Sequence, residues 1–335
     1  MKIAYLLESA EPYGGVKIVL MQAEALARRG HRVTVVSPQT GPSWFPLMQA
    51  RFEHSPFAAS QALREADVRV ATFWRTVPDA LAGAHGPVFH LCQGYEGGFP
   101  FYADARHEIE KVYRLPARKL AVSTTLAERL EALGFGPAVD IGQAFDPGAF
   151  SPGPEKPIQN PPVVLVVGPI EIDSKGVDVA LGGLQIFRRR GGAFRLRRVS
   201  YFPISEAERR MGLTDEYHHR LAPERMPFAY RSSDVFIGAS RAEEGFGLPT
   251  LEALACGVPA LLSDVPSQRE IANGAAWHFR DGDPESLASA LPELFTEGAR
   301  RRARTEGPAA AARFSTARVA ERLEAAFLEG LGTVL

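Results

Sequence analysis

Two glutamates eight positions apart, Glu244 and Glu252, bracket a glycine turn in the run EEGFGLPTLEALACGVPAL, residues 243–261. Gly245 and Gly247 offer backbone conformations that other residues avoid. Pro249 suits the first position of a helix, where no N–H is needed. The N–H groups of Gly247 and Leu248 then point out of a positive helix end, which is a ready site for an anion, phosphate most of all. Glu252 sits one turn into that helix, within reach of a vicinal diol such as a ribose. Glu244 stands ahead of the turn, on the other side of the anion. Either glutamate alone reads as a dipole complement or a solvated loop charge. The pair, set on this glycine spacing, reads as a binding site.

The elements that must position these groups alternate along the chain. KIAYLL is a short buried strand, ESAEPYGGV a loop, and KIVLMQAEALARRG a helix stopped at Gly30. HRVTVVSP, ADVRVATF, GPVFHLCQG and RKLAVST continue as strands, with a helix over TTLAERLEALGFG. A stretch rich in proline, FDPGAFSPGPEKPIQNPP, cannot pack as a core element and reads as a linker. The second half repeats the pattern: VVLVVGPI, SDVFIGAS and VPALLSD as strands, VDVALGGLQIFRRRGG and PTLEALACG as helices. Gly182 and Gly183 weaken the first of these helices. The tail STARVAERLEAAFLEGLG predicts a serine-capped helix with Val319, Leu323, Ala326 and Phe327 on its apolar face. The expectation is α/β, with two Rossmann-like, doubly wound domains facing across a cleft. Residues 1–147 form the first, 148–162 the linker, 163–314 the second, and 315–335 a terminal helix.

EEGFGLPTLEALACGVPALLSD resembles the E-x7-E signature of the retaining glycosyltransferases of family four, which have the GT-B fold. The resemblance implies that Glu244 lies near the transferred sugar and Glu252 on the nucleotide ribose. It implies that Gly245, Phe246, Gly247 and Leu248 hold the donor, with the backbone of Gly247 and Leu248 on the distal phosphate. YGGVKIVLMQAEALARRGHRVTVVS resembles the family's first loop and helix, which carries Gly14 and Gly15 over to donor phosphate and acceptor. FDPGAFSP is similar to its linker motif, with Asp146, Phe150 and Pro152 in register. VVGPIEIDSKGVDVAL resembles the segment that clamps the diphosphate, so Gly168 and Lys175 join the donor site. ARFSTARVAERL resembles the last helix, which in this fold crosses back to the first domain. Three departures stand out. Pro169 occupies the usual arginine position, Gln143 and Ala144 replace an Asn-Gly pair, and FRLRRVSYFPISEAERR replaces a segment that commonly contacts the base.

The implied reaction moves a sugar from a nucleotide-sugar to a saccharide, lipid-linked or small-molecule acceptor with retention of configuration. Fixed donors at Gly247 and Leu248, with Lys175, would stabilise the departing diphosphate, so no cofactor and no metal is expected. DGD at Asp281–Asp283 superficially fits a metal motif, yet Pro284 follows, which makes Asp283 a helix cap. After the strand GPVFHLCQG, the residues His90, Gln93 and Glu96 are candidates for the acceptor side, Glu96 as a further catalytic group. His90 reads equally well as a structural histidine. Rival readings are a sugar-nucleotide epimerase or phosphorylase on the same scaffold, or a sugar-nucleotide-binding protein with weak catalysis, which Pro169 suggests.

Composition sets the outer limits. With 335 residues, 45% of them hydrophobic and 23% charged, the chain has material for two globular cores. A formal net charge of −1 argues against a nucleic-acid partner. Cys92 and Cys256 lie in apolar runs without metal or disulfide spacing and read as small buried hydrophobes. The N-terminus meets Glu8 too soon for a signal peptide, and the expectation is a cytoplasmic protein. Arg188, Arg189, Arg190, Arg195, Arg197 and Arg198 form a basic run. It reads first as a solvated helix end and edge strand, and second as a peripheral contact with anionic lipid at the inner membrane face.

Overall fold

A computed structural model describes residues 1–332. The chain divides into two compact units, one made of residues 1–145 with the C-terminal segment from Phe314, the other of Asp146–Arg313. Every strand pairing in both is parallel.

In the first unit the strands are β1 (Lys2–Leu6), β2 (Arg32–Ser37), β3 (Arg51–His54), β4 (Val68–Ala71), β5 (Val88–Cys92), β6 (Arg118–Ala121) and β7 (Ala138–Asp140), in the order β3-β2-β1-β4-β5-β6-β7. The central strands β4 and β5 are buried along their whole length because helices cover both faces. β3 and β7 are short, partly polar edge strands, and no strand reading falls on them. The helix Gly14–Arg28 begins at the glycine pair, so Gly14 and Gly15 form its first turn rather than a preceding loop. Ser315 Oγ accepts from Arg318 N at 3.2 Å and caps the last helix, Thr316–Gly330. That helix buries Val319, Leu323, Ala326 and Phe327, and the Phe327 ring lies 4.9 Å from Phe89. Burying one such phenylalanine contributes about 2 kcal/mol. Arg29 and His31 both reach Glu324, tying the helix to the start of β2.

The second unit has β8 (Val163–Val167), β9 (Arg195–Ser200), β10 (Thr214–His219), β11 (Val235–Gly238), β12 (Ala260–Ser263) and β13 (Trp277–Phe279), ordered β10-β9-β8-β11-β12-β13. The helix Val177–Arg189 contains Gly182 and Gly183 for a packing reason. A Cβ on Gly183 would come within 2.6 Å of Leu287 Cδ2 on the helix Pro284–Ala290. Asp283 caps that second helix through Ser286 N at 3.0 Å, as its position ahead of Pro284 predicts. In each sheet the order of strands reverses between the first and fourth, at β1/β4 and β8/β11, and ligands of open α/β sheets bind at the carboxyl ends of strands flanking such a point.

The basic run does not make a patch, and β9 is not an edge strand. Arg198 is fully buried, its Nε donating at 2.7 Å to Glu208 Oε1 and its Nη groups to the carbonyls of Val166 and Gly168. Arg197 bonds Glu216 and Ser232, Arg195 bonds Gln159, Arg190 pairs with Glu285, and Arg188 packs over the Phe194 ring. The run dissolves into separate pairings because a strand sends alternate side chains to opposite faces. Among the described residues no helix is long and apolar enough to cross a membrane.

Candidate functional site

Gly168 ends β8 with φ +123, and the stem of Lys175 folds over it, its Cγ 3.5 Å from where a Cβ would lie. Lys175 reaches this place through a short 3-10 turn closed by Gly176 at φ +58. A Cβ on Gly176 would stand 1.8 Å from the Ala239 carbonyl, so only glycine fits beside the end of β11. The Lys175 ammonium then lies 2.5 Å from Glu244 Oε1, and Ser174 Oγ donates to Glu244 Oε2 at 3.2 Å. Arg241, on the same loop as Glu244, donates to the Asp173 carbonyl and pairs with Asp178. Its charge is thus committed, and Lys175 is the cation that faces Glu244.

The helix Leu248–Ala255 has Gly247 as its cap, with Leu248 first and Pro249 second, so it begins one residue earlier than the sequence suggests. Neither Gly245 nor Gly247 adopts a left-handed φ. What position 247 requires is the missing side chain, because a Cβ would come 2.6 Å from Gln268 Nε2. Gln268 is fully buried, its Oε1 accepts from Thr250 Oγ1 at 2.8 Å, and its Nε2 has no partner among the described residues. A buried amide donor and the positive end of a helix therefore converge at Gly247. Phe246 is buried, so any donor contact it makes runs through its backbone. One turn in, Glu252 Oε2 accepts a 2.8 Å bond from the fully buried Tyr230 hydroxyl. Burial and the Glu252 charge both push the Tyr230 phenol upward, keeping it a neutral donor.

In the first unit the structure joins Gly15 to Gln93. Gln93 Nε2 donates to the Gly15 carbonyl at 3.1 Å, and a Cβ at 15 would press within 3.2 Å of the same amide. Glu96 opens the short 3-10 turn Glu96–Gly98 and accepts from the Tyr113 hydroxyl. Burial pushes its carboxyl up to about 7, against the Tyr113 bond and backbone donors that lower it. His90 takes the structural place that the sequence allowed equally with the acceptor side. It lies fully buried within β5, edge-on to Tyr113 at 4.8 Å, with neither ring nitrogen bonded among the described residues. Burial and nearby Lys119 push it down to about 3, so it is a neutral core residue.

At the β8/β11 switch the arrangement provides a cation, a helix N-terminus, an amide donor and two carboxylates. Cation and N–H donors suit a diphosphate, and carboxylates suit sugar hydroxyls. Sequence reasoning missed Ser174, Gly176, Tyr230 and Gln268. Gly176 had a signal, since glycine after a lysine at a strand–helix junction marks a left-handed position. Tyr230 and Gln268 had none, because each meets the site only through the fold.

Comparison with known proteins places these features in context. Residues 161–297 match the family described as Glycosyl transferases group 1. A 64-residue stretch, 19% of the chain, is 41% identical to the serotype-specific mannosyltransferase WbdA of Escherichia coli, and covers 8% of that protein's length. The chain therefore spans less than a tenth of that relative. Over 306 residues, 82% of the chain and 77% of the relative, it is 26% identical to the GDP-mannose-dependent alpha-(1-6)-phosphatidylinositol monomannoside mannosyltransferase of Mycolicibacterium smegmatis. The solved structure of sucrose-phosphate synthase from Thermosynechococcus elongatus matches with a TM-score of 0.77 at 17% identity, covering 99% of both chains. The fold is GT-B.

Proposed function

We propose that this chain, whose residues 161–297 form a glycosyl transferases group 1 domain, transfers a hexose from a nucleoside-diphosphate sugar to a saccharide or lipid-linked acceptor, with retention and without a metal. The observation that carries the reading is the meeting of Lys175 and Glu244 beside the start of the helix Leu248–Ala255, with Glu252 held one turn in. Lys175, the Gly247–Leu248 backbone and Gln268 hold the diphosphate and stabilise the charge it gains on leaving. Glu252 takes the ribose diol, and Glu244 a hydroxyl of the transferred sugar. Gly14 and Gly15 let backbone approach the donor phosphate and the acceptor, with Gln93 and Glu96 on the acceptor side. The acceptor oxygen bonds to the anomeric carbon on the face from which the diphosphate departs, and its proton passes to a departing phosphate oxygen.

The test is a panel of GDP- and UDP-linked hexoses with mannoside, glucoside and glycolipid acceptors, with and without chelator, the product anomer read by NMR. An α-linked product from an α-linked donor, formed equally in chelator and reduced about a hundredfold or more by Glu244→Ala, is the expected result. An inverted product, or a sugar altered with no acceptor present, overturns it.

A further inference from the structure

We infer that a second pocket in the Asp146–Arg313 unit, walled by Lys156, Arg231, Arg300 and Arg304, binds a phosphate-class oxyanion. The pocket lies between residues 153–156 of the proline-rich segment, the N-terminal ends of β11 and β12, and the helix Glu297–Ala311. Lys175 and Glu244 follow the carboxyl ends of their strands, whereas Asp234 and Pro259 precede theirs. The two sites thus lie at opposite ends of the sheet, on the order of 13 Å of strand apart. This inference is independent of the proposed transfer reaction.

Four cations line the pocket, and one buried carboxylate answers them. Asp234 spends Oδ2 on Val163 N and Gln159 Nε2, at 2.9 and 3.0 Å. Its Oδ1 lies 3.3 Å from Lys156 Nζ, without hydrogen-bond alignment, and 3.9 Å from Arg300 Nη2. The other carboxylates, Glu155 and Glu297, stand 3.9 Å from Arg304 and Arg300 and are 85% and 56% exposed, so their screening of the pocket is weak. Lys156 Nζ and Arg300 Nη1 are both buried and complete no hydrogen bond among the described residues. Burial lowers the Lys156 ammonium, with Arg300 and Arg197 acting the same way and Asp234 opposing them. A group in this position is short of negative charge, and native structures rarely leave buried donors unmatched.

The walls are fixed in place. Arg304 Nη2 donates to the Gly153 carbonyl at 2.7 Å, and Arg231 Nε donates to the Pro227 carbonyl at 3.1 Å. Gly257, at φ +67, lets the helix Glu297–Ala311 approach, since a Cβ there would come 3.1 Å from the Arg304 Cα. Cys256, also on the wall, stays a neutral thiol because burial pushes it up to about 12. The remaining N–H groups of three guanidiniums and an ammonium suit the oxygens of a tetrahedral, doubly charged anion.

The experiment titrates inorganic phosphate against the full chain at constant ionic strength and follows the melting temperature and the heat of binding. The expected result is a saturable rise in melting temperature, kept in Lys175→Met and Lys156→Arg, with the apparent Kd raised about tenfold or more in Lys156→Met and Arg300→Met. Circular dichroism on the variants confirms that the loss is not unfolding. No saturation up to about 50 mM phosphate, a response that disappears in Lys175→Met, or one unaltered in both Lys156→Met and Arg300→Met overturns the inference.

Discussion

The Tyr230 hydroxyl, on a ring with no exposed surface, donates a 2.8 Å hydrogen bond to Glu252 Oε2. Tyr230 belongs to the short helix Met226–Arg231, and Glu252 to the helix Leu248–Ala255. The contact therefore sets the carboxylate's rotamer from outside its own element. A diol ligand gains from a carboxylate already held, because less side-chain freedom is lost on binding.

Replacing Tyr230 with phenylalanine keeps the ring and removes that hold. A hydrogen bond to a charged group contributes about 1.5–3 kcal/mol, so nucleoside-diphosphate affinity should fall by about ten- to a hundredfold. Calorimetric titration of GDP and UDP against Tyr230→Phe reads this directly. An unchanged Kd for whichever nucleotide the parent binds would show that Glu252 does not touch it.

Lys175 tests the electrostatic half of the site. The pair with Glu244 is partly open, with side chains 26% and 11% exposed, so its share of stability is small, about 1 kcal/mol or less. In the proposed reaction its weight falls on the departing diphosphate and is much larger. Lys175→Met should lower kcat/KM by about two to three orders of magnitude with little change in Tm, and Lys175→Arg should restore part of the rate. Equal loss of rate and of fold would make Lys175 a structural residue instead.

Much of this was legible because each half of the chain repeats one physical pattern. Fully apolar, β-branched runs such as VVLVV read as strands covered on both faces, and glycine–proline punctuation marks where they end. The glutamate block was readable because its parts sit within one turn and one helix. What lay beyond reading was long-range. β3 and β7 carry too few apolar residues to signal strands. His90 read equally as an acceptor-side or a structural residue, because a sequence does not show that β5 is buried along its whole length. The arginine run was read by its summed charge, although Arg198 turns inward to a glutamate ten residues on.

That buried pair makes a prediction about stability. Arg198 and Glu208 are 0% and 1% exposed, and the guanidinium also holds the carbonyls of Val166 and Gly168 at the end of β8. Arg198→Met strands a buried carboxylate and should cost about 3–5 kcal/mol. Adding Glu208→Leu should recover a large part of it, because an apolar pair of similar volume needs no compensation. Urea unfolding of the single and double variants gives both numbers. A double variant as weak as the single would place the loss in the β8 carbonyl bonds.

Glu96 links burial to pH. Burial pushes its carboxyl up from 4.5 to about 7 in the folded protein. Between those values the folded protein holds a proton that the unfolded chain has released, so this group's contribution falls as pH rises through the window and is level above it. The full difference is about 3 kcal/mol. Glu96→Gln keeps an oxygen for the Tyr113 hydroxyl and removes the titration. Its stability relative to the parent should therefore climb steadily from pH 4.5 to 7 and then stay constant, as read from urea midpoints across that range. If Glu96 also handles a proton on the acceptor side, kcat/KM of the parent should bend near pH 7 and that of the variant should not. A stability difference that is flat with pH would mean the carboxyl is ionised throughout, with enough donors around it to offset its burial.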